Sequence, residues 1–209
     1  MMNTHEFVGN VIKLYHEARI LAFPHKKIKR GESRSISSLA EDLFAKFIVE
    51  KIKCQTIYVN QPMFIPALGK RKPDIAVVRD NAITAFCDLK TSMGYNREGL
   101  YSLCQRHSDW IRKARGKQCT LIDGVTKEKR AYAISGSASY SVVILTDTNI
   151  NPKLLAEQIE GAARLNPFIS IYILTSGAGL NEYRPAQEIL KKVKIRQGDL
   201  IQLIKQLNT

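Results

Sequence analysis

The sequence has few cysteines and no closely spaced pair of them. Its cysteines, Cys54, Cys87, Cys104 and Cys119, stand singly, so none has the CxxC spacing of a zinc site or redox centre. We expect reduced thiols that fill the core. No run approaches the roughly 18 apolar residues of a membrane-spanning helix, and residues 1–6 lack the basic start and apolar run of a secretory signal. We therefore expect an intracellular, cytoplasmic protein with no membrane partner.

Acidic residues are also scarce relative to basic ones. The chain has 19 Asp and Glu against 32 Lys and Arg, which gives a formal net charge of +13. A surplus of this size favours a polyanionic partner, although charge alone would suit DNA, RNA, an acidic protein or an anionic membrane surface. With 209 residues, 44% of them hydrophobic, the chain is long enough for one good core. We therefore predict a single domain, residues 1–209.

Apolar residues recur at helical spacing in several segments. Residues 4–23 predict a first helix with Thr4 as its cap, and residues 39–53 a second, in which Ser38-x-x-Glu41 fits a capping box. The same reasoning predicts helices at residues 98–115, 152–165, 185–194 and 199–207.

Segments rich in β-branched and aromatic residues alternate with these helices. Residues 56–64, 74–78 and 83–90 predict an antiparallel meander, with turns at residues 69–73 and 80–81. A hairpin is predicted over residues 119–135, and residues 141–145, 152–165 and 169–174 have the strand, helix, strand order of a parallel βαβ unit. The sequence therefore predicts an α/β fold with a central mixed sheet flanked by helices.

Two short motifs carry the chemistry, Lys72-Pro73-Asp74 and Cys87-Asp88-Leu89-Lys90. Because side chains alternate along a strand, Asp88 and Lys90 project to one side and their neighbours to the other. If the two strands form a hairpin, Asp74 reaches the same end of the sheet as Asp88, and two hard oxygen ligands there can hold Mg²⁺. Lys90 would then lie beside the metal-bound water, as phosphodiester hydrolysis requires. Taken alone, each aspartate also fits a turn or an exposed strand.

Glu41 is an independent indication of the same site. At about 100° per residue it lies on the apolar face of its helix, between Phe44, Ile48 and Ile52. A carboxylate directed at the core is costly unless a cation or hydrogen bonds compensate. A metal ion or Lys90 would do so, and membership of the capping box is the alternative explanation; the two roles are not exclusive.

The order of these features resembles a known family. Glu on the first core helix, Pro-Asp at one strand and Asp-x-Lys on the next, followed by helix, strand, helix and strand, is similar to the core of the PD-(D/E)xK, or restriction-endonuclease-like, nucleases. The resemblance covers about residues 37–175. It implies Mg²⁺-dependent DNA cleavage, with Mn²⁺ as a substitute, and these site residues: Asp74, Asp88 and the Leu89 carbonyl as metal ligands, Glu41 as a supporting ligand, and Lys90 orienting or deprotonating water.

A type II restriction endonuclease is the reading that this resemblance favours. Such an enzyme would be a homodimer cutting double-stranded DNA, from a prokaryotic or phage source. A recombination or repair nuclease that resembles Holliday-junction resolvases stays open, as does a non-catalytic nucleic-acid-binding module on the same fold.

Basic and polar residues around the motifs are candidate DNA contacts. The basic stretch after the first helix is either a solvated loop or a phosphate-contacting arm. The full candidate set is Lys26, Lys27, Lys29, Arg30, Arg34, Lys70, Arg71, Lys72, Ser92, Tyr95, Asn96 and Arg97. His107 lies on the apolar stripe of its helix and is predicted to be a satisfied core histidine. Trp110 is predicted to be partly buried packing, with base stacking as the alternative.

Overall fold

The structure, a computed structural model, describes residues 1–93 and 99–209. The helices in these residues are α1 (Thr4–Arg19), α2 (Ser37–Val49), α3 (Gly99–Ala114), α4 (Pro152–Ala163), α5 (Ala186–Lys192) and α6 (Gln197–Leu207). The strands are β1 (Thr56–Val59), β2 (Met63–Ile65), β3 (Gly69–Arg71), β4 (Ile75–Arg79), β5 (Ala82–Lys90), β6 (Gln118–Ile122), β7 (Lys129–Thr146), β8 (Ile169–Ser176) and β9 (Lys194–Ile195). The predicted α/β class is confirmed.

A single mixed sheet forms the centre of the molecule. Its strands run in the order β1-β4-β5-β7-β6-β2-β3, with β8 also paired to β7 and β9 to β8. Pairing is antiparallel for β1–β4 and β4–β5 and parallel for β5–β7 and β7–β8. The predicted meander and βαβ unit are therefore both confirmed. Because parallel strands end at the same edge, the carboxyl ends of β5, β7 and β8 lie together.

Strand β7 is much longer than the predicted strand at residues 141–145. Its first residues pair with β6 as the predicted hairpin, and residues from Tyr140 onward pair with β8. The register against β5 shifts between Ile83 and Ala85, where β7 changes its partner. The exposed, glycine-containing stretch at this shift has little apolar character, which is why the sequence pattern indicated two strands instead of one.

Two apolar clusters pack against opposite faces of the sheet. Helices α1, α2, α5 and α6 contribute to one cluster together with Cys87 and Leu89 of β5. Helices α3 and α4 contribute to the other together with Phe86 of β5 and Tyr140 of β7. Neighbouring β5 residues thus face opposite layers, as the strand geometry predicts. Three of the four cysteines are buried and all are free thiols; burial raises the pKa of Cys104 to about 12, so that thiol stays protonated.

Several predicted boundaries and caps are wrong. Helix α1 ends at Arg19 and is capped by Asn3, whose side chain accepts a hydrogen bond from the Glu6 N–H, and not by Thr4. Helix α2 begins at Ser37 without a side-chain cap, so the predicted Ser38-Glu41 capping box does not form. The carboxylate of Glu41 contacts another segment instead.

The predicted strand at residues 56–64 is two strands, β1 and β2. Asn60 separates them with a φ of 50°, a left-handed conformation that asparagine tolerates better than most residues. Part of the predicted turn at residues 69–73 forms β3, which pairs with β2, and β2 pairs with β6 on the far side of the sheet. The chain therefore leaves the meander after β1 and returns at Asp74. Within the described residues, no helix has both the length and the apolar character that a bilayer span requires.

Candidate active site

Asp74 and Asp88 lie side by side at one end of the sheet. Ile75 of β4 is paired with Cys87 of β5, and Asp74 is the next residue outward, opposite Asp88. Cβ atoms of directly opposed antiparallel residues are roughly 4.5–5.5 Å apart. The Leu89 N–H donates a hydrogen bond of 2.8 Å to Asp74 Oδ2, which fixes this carboxylate against the Asp88–Leu89 peptide. The predicted meeting of Asp74 with the carboxyl end of β5 is therefore confirmed.

Asp88 is held by three side chains. Its Oδ1 accepts a hydrogen bond of 2.8 Å from the Tyr140 hydroxyl. Its Oδ2 lies 3.0 Å from His107 Nε2 and 3.3 Å from Lys90 Nζ. The His107 ring stacks on the Tyr140 ring with centroids 4.1 Å apart, so the two donors brace each other. These contacts leave about one of the roughly four lone-pair positions of the carboxylate for a further partner.

A basic residue extends this network from β3. Arg71 Nη2 lies 3.5 Å from His107 Nδ1, and the Arg71 guanidinium carbon is 5.7 Å from the centre of the Trp110 ring. A guanidinium group can only donate, so this contact requires a lone pair on Nδ1 and puts the imidazole proton on Nε2. That proton points at Asp88. Trp110 itself packs edge-on against Phe86, with centroids 5.0 Å apart, as predicted for partly buried packing.

The pKa values of the two aspartates move in opposite directions. Burial and the negative charge of Asp88 raise the pKa of Asp74 from its ordinary value of 3.8 to about 6. Burial also acts to raise the pKa of Asp88, but the hydrogen bonds from His107 and Tyr140, with the charge of Lys90, outweigh it and hold that pKa well below the usual range. Asp88 is therefore the permanent anion of the pair, and Asp74 carries the unfavourable charge.

Glu41 reaches the same region from α2. It is only 7% exposed, and its Oε2 accepts a hydrogen bond from the Asn60 side-chain amide. The Asn60 N–H in turn donates to the Asp74 carbonyl oxygen over 2.8 Å, which ties the Glu41 contact to the start of β4. Burial raises the pKa of Glu41, against the opposing effects of the Asn60 hydrogen bond and the Lys72 charge. Asn60 and Lys72 thus supply most of this compensation, and Lys90, which the sequence predicted for the role, adds a smaller part.

The donor set is smaller than predicted. Among the described residues, no group of three or more His, Cys, Asp or Glu side chains is placed to hold a metal ion. Glu41, Asp74 and Asp88 therefore do not form a three-ligand cluster, although the charge of Glu41 is close enough to help raise the pKa of Asp74. Two adjacent carboxylates remain, and Mg²⁺ is often bound by one or two carboxylates with water and substrate phosphate completing its shell. The chemistry of Asp74 and Asp88 fits such an ion.

The predicted DNA contacts divide into three groups. The first group flanks the site residues along the chain: Arg71 contacts His107, Lys72 is close enough to Glu41 to lower its pKa, Lys70 is exposed on β3, and Ser92, two residues after Lys90, is half-buried. Those in the basic stretch between α1 and α2 are exposed and outside regular structure: Lys26, Lys27, Lys29, Arg30 and Arg34. Those in the third group lie outside the described residues: Tyr95, Asn96 and Arg97.

Arg34 has a structural contact of its own. Its Nη2 donates to the carbonyl oxygens of Glu17, at 3.0 Å, and Ile20, at 3.3 Å. Carbonyl groups at the end of a helix lack intrahelical partners, so Arg34 satisfies the end of α1. Arg34, the last residue of the basic stretch, therefore anchors it to the end of α1, shortly before α2 begins.

Sequence reasoning missed three residues of the site, Asn60, His107 and Tyr140. His107 is a satisfied core histidine, as predicted, but its partner is the site carboxylate. Tyr140 shares the β7 face of Val142, which is paired with Asp88, so strand parity could have placed it on the same face. Asn60 lay inside the strand predicted over residues 56–64, and nothing local indicated its left-handed conformation or its contact with Glu41.

Comparison of the chain with protein-family models, with curated proteins and with solved structures gave no match.

Proposed function

We propose that this chain is a Mg²⁺-dependent endonuclease that hydrolyses phosphodiester bonds in DNA, on a restriction-endonuclease-like core. One observation carries the proposal: two partly buried carboxylates, Asp74 and Asp88, are adjacent at a strand end, with the Lys90 ammonium group on the same face. Carboxylate pairs beside a lysine suit a reaction in which water attacks a phosphate.

The electrostatics of the aspartate pair support a cation between them. Burial and the negative charge of Asp88 disfavour the charged form of Asp74 and raise its pKa to about 6. A divalent cation would relieve this repulsion, and when bound it supplies Lewis acidity and lowers the pKa of a coordinated water. Asp74 and Asp88 would be its protein ligands, with the Leu89 carbonyl as a further oxygen. Glu41 would act indirectly, through its hydrogen bond with Asn60.

The remaining residues of the site have roles that follow from their charges. Lys90 Nζ, 3.3 Å from Asp88, can donate to the attacking water or to the scissile phosphate. Arg71 of β3 contacts His107, and Lys72, the next residue, is close enough to Glu41 to lower its pKa; both can hold phosphates beside the site. With a net charge of +13, binding would weaken steeply as salt rises.

The substrate that we propose is double-stranded DNA, cut by a homodimer as type II restriction endonucleases do. A branched recombination or repair intermediate is the alternative for the same chemistry. Incubation of the protein with long linear DNA and with a four-way junction separates the two. Discrete bands from the linear DNA would support a type II restriction endonuclease, and preferential cutting of the junction would support a recombination or repair nuclease.

The catalytic assignment is tested with matched variants. Asp74→Asn and Lys90→Ala should each abolish Mg²⁺-dependent cleavage, because each removes a group at the reacting phosphate. Asp80→Asn, in the exposed turn at the other end of β4, and Lys117→Ala, exposed before β6, should cut like the unchanged protein. Cleavage that survives Asp74→Asn or Lys90→Ala would refute the assignment of the site.

A non-catalytic nucleic-acid-binding module is the second candidate. The contacts of Asp88 favour it, because His107, Tyr140 and Lys90 already occupy most of the carboxylate. Such a module would bind DNA equally well with and without Mg²⁺ and would release no product from any nucleic acid. An endonuclease would give products that disappear when EDTA removes the metal.

A further inference from the structure

Tyr183 presents an exposed aromatic ring at the end of the sheet that carries the candidate site. It belongs to the loop that follows β8, and its side chain is 89% exposed. The carboxyl ends of β5, β7 and β8 lie at one edge because these strands are parallel. With strands about 4.8 Å apart, the ends of β5 and β8 are roughly 10 Å from each other. The loop that carries the ring therefore begins at the sheet edge where β5 ends, and its Gly179 lies beside Thr148, two residues after β7.

The ring is held in place from one side. The Arg19 guanidinium carbon lies 3.9 Å from the centre of the Tyr183 ring, a close cation–π contact. Arg19 is itself fixed, since its guanidinium donates to the carbonyl oxygens of Asn181 and Glu182. The loop is closed by the Gly179 N–H, which donates to the Glu182 carboxylate over 3.1 Å. One face of the ring is thus covered by an anchored cation, and the other is open to solvent.

Basic residues lie on both sides of this ring along the chain and in space. Arg184 follows it directly and pairs with Glu182 at 3.3 Å. The exposed basic stretch begins seven residues after Arg19 and is anchored at the same helix end by Arg34. An exposed aromatic ring within positive charge has the two properties by which proteins bind unpaired nucleobases, a stacking surface and attraction for the adjoining phosphates.

We propose that Tyr183 and Arg19 form a stacking platform for an unpaired nucleobase. The proposal takes a nucleic acid as the ligand and in that respect rests on the proposed function. Bases inside a duplex are already stacked on both faces, so the open face of Tyr183 is available only to a base that has left the helix or never joined one. Because Arg19 already orients the ring, little conformational freedom is lost when a base stacks on it. The platform therefore favours a substrate with a single-stranded segment, such as a recombination or repair intermediate, over the fully paired duplex.

The platform is tested by binding in EDTA, where no cleavage can occur. Fluorescence anisotropy is measured with a labelled single-stranded DNA, an RNA of the same sequence and the blunt duplex, for the unchanged protein and for Tyr183→Ala. Base–aromatic stacking contributes enough that the substitution should weaken single-strand binding by roughly 5- to 100-fold. Duplex binding should change by less than about twofold, since phosphate contacts dominate it. The nucleic acid whose affinity falls more on Tyr183→Ala, single-stranded DNA or RNA, is the natural source of the base.

Two further variants complete the test. Tyr183→Trp should restore single-strand binding because it keeps an aromatic face. Val125→Ala, which trims a side chain 91% exposed in the β6–β7 turn, should bind like the unchanged protein. Equal losses on single strand and duplex, no loss from Tyr183→Ala, or no nucleic-acid binding by the unchanged protein would each overturn the proposal. Selective loss of single-strand binding, in a protein that cuts nothing with Mg²⁺, would support the platform and refute the nuclease.

Discussion

Removal of the Asp74 charge should stabilise the protein at neutral and alkaline pH. Burial and Asp88 raise the pKa of Asp74 from 3.8 to about 6, so its charged form costs free energy in the folded state. When the pKa of a group is higher in the folded state than in the unfolded state, its protonated form stabilises the fold. That stability is fully present below the pKa of the unfolded state and is lost as the pH rises through the pKa of the folded state. At about 1.4 kcal/mol per pKa unit, the loss approaches 3 kcal/mol at pH 8 and is below about 1 kcal/mol at pH 4.

Asp74→Asn removes this cost and keeps the shape of the side chain. The amide oxygen can still accept the hydrogen bond from the Leu89 N–H, which is 2.8 Å long in the unchanged protein. Urea unfolding at pH 4 and pH 8 measures the effect: the variant should gain about 2–3 kcal/mol over the unchanged protein at pH 8 and less than about 1 kcal/mol at pH 4.

Asp80→Asn is the matched control for this experiment. Asp80 lies in an exposed turn with a φ of 48°, which asparagine also adopts, so the same chemical change should alter stability by less than about 0.5 kcal/mol. If Asp74→Asn were neutral or destabilising at pH 8, or if its advantage did not grow with pH, the claim that the charge on Asp74 costs stability would be refuted.

Three other substitutions probe the surroundings of the pair. Tyr140→Phe removes the hydroxyl donor to Asp88 Oδ1 and should cost about 1–2 kcal/mol of unfolding free energy, measured by urea midpoint; an unchanged midpoint would show that this hydrogen bond contributes nothing. Asn60→Ala removes the donor to buried Glu41 and strains a left-handed position, so it should cost about 2–3 kcal/mol of unfolding free energy. Asn60→Gly removes only the donor and should cost less. Equal costs for the two variants would show that backbone strain at this position contributes nothing. Combined alanine substitution in the basic stretch should lower the slope of log K against log salt for DNA binding by about 0.9 for each lost phosphate contact. The positions to change are Lys26, Lys27 and Lys29, and Lys153→Ala, also exposed, is the control. If the combined variant has the same slope as the control, the basic stretch is a solvated loop that does not contact phosphates.

The sequence predicted elements whose evidence is local. Period-two and helical patterns located the meander, the βαβ unit and the helices to within a few residues, because a buried face leaves its mark on every second or every third to fourth position. Strand parity also predicted that Asp88 and Lys90 share a face. The ends of elements were less accurate: α1 stops at Arg19, where Arg34 from a later segment bonds the last carbonyl groups.

The contacts that define the site were beyond reach because they join segments far apart in the chain. His107, on α3, meets Asp88 across 19 residues, and Tyr140 meets it across 52. Periodicity shows that a side chain is buried but not what it is buried against. The same limitation affected Glu41, whose apolar position was predicted correctly while its partner, Asn60, was not. The β2–β3 excursion, which brings Arg71 to His107, depends on long-range pairing with β6 that no local signal indicates.

The most direct test of the account is to locate a divalent cation in crystals of the unchanged protein soaked in Mn²⁺, using the anomalous scattering of the metal. The account predicts a peak in contact with carboxylate oxygens of both Asp74 and Asp88, and no such peak in crystals of Asp74→Asn. A soaked crystal with no metal between these two side chains, or with the ion bound only elsewhere, would contradict it.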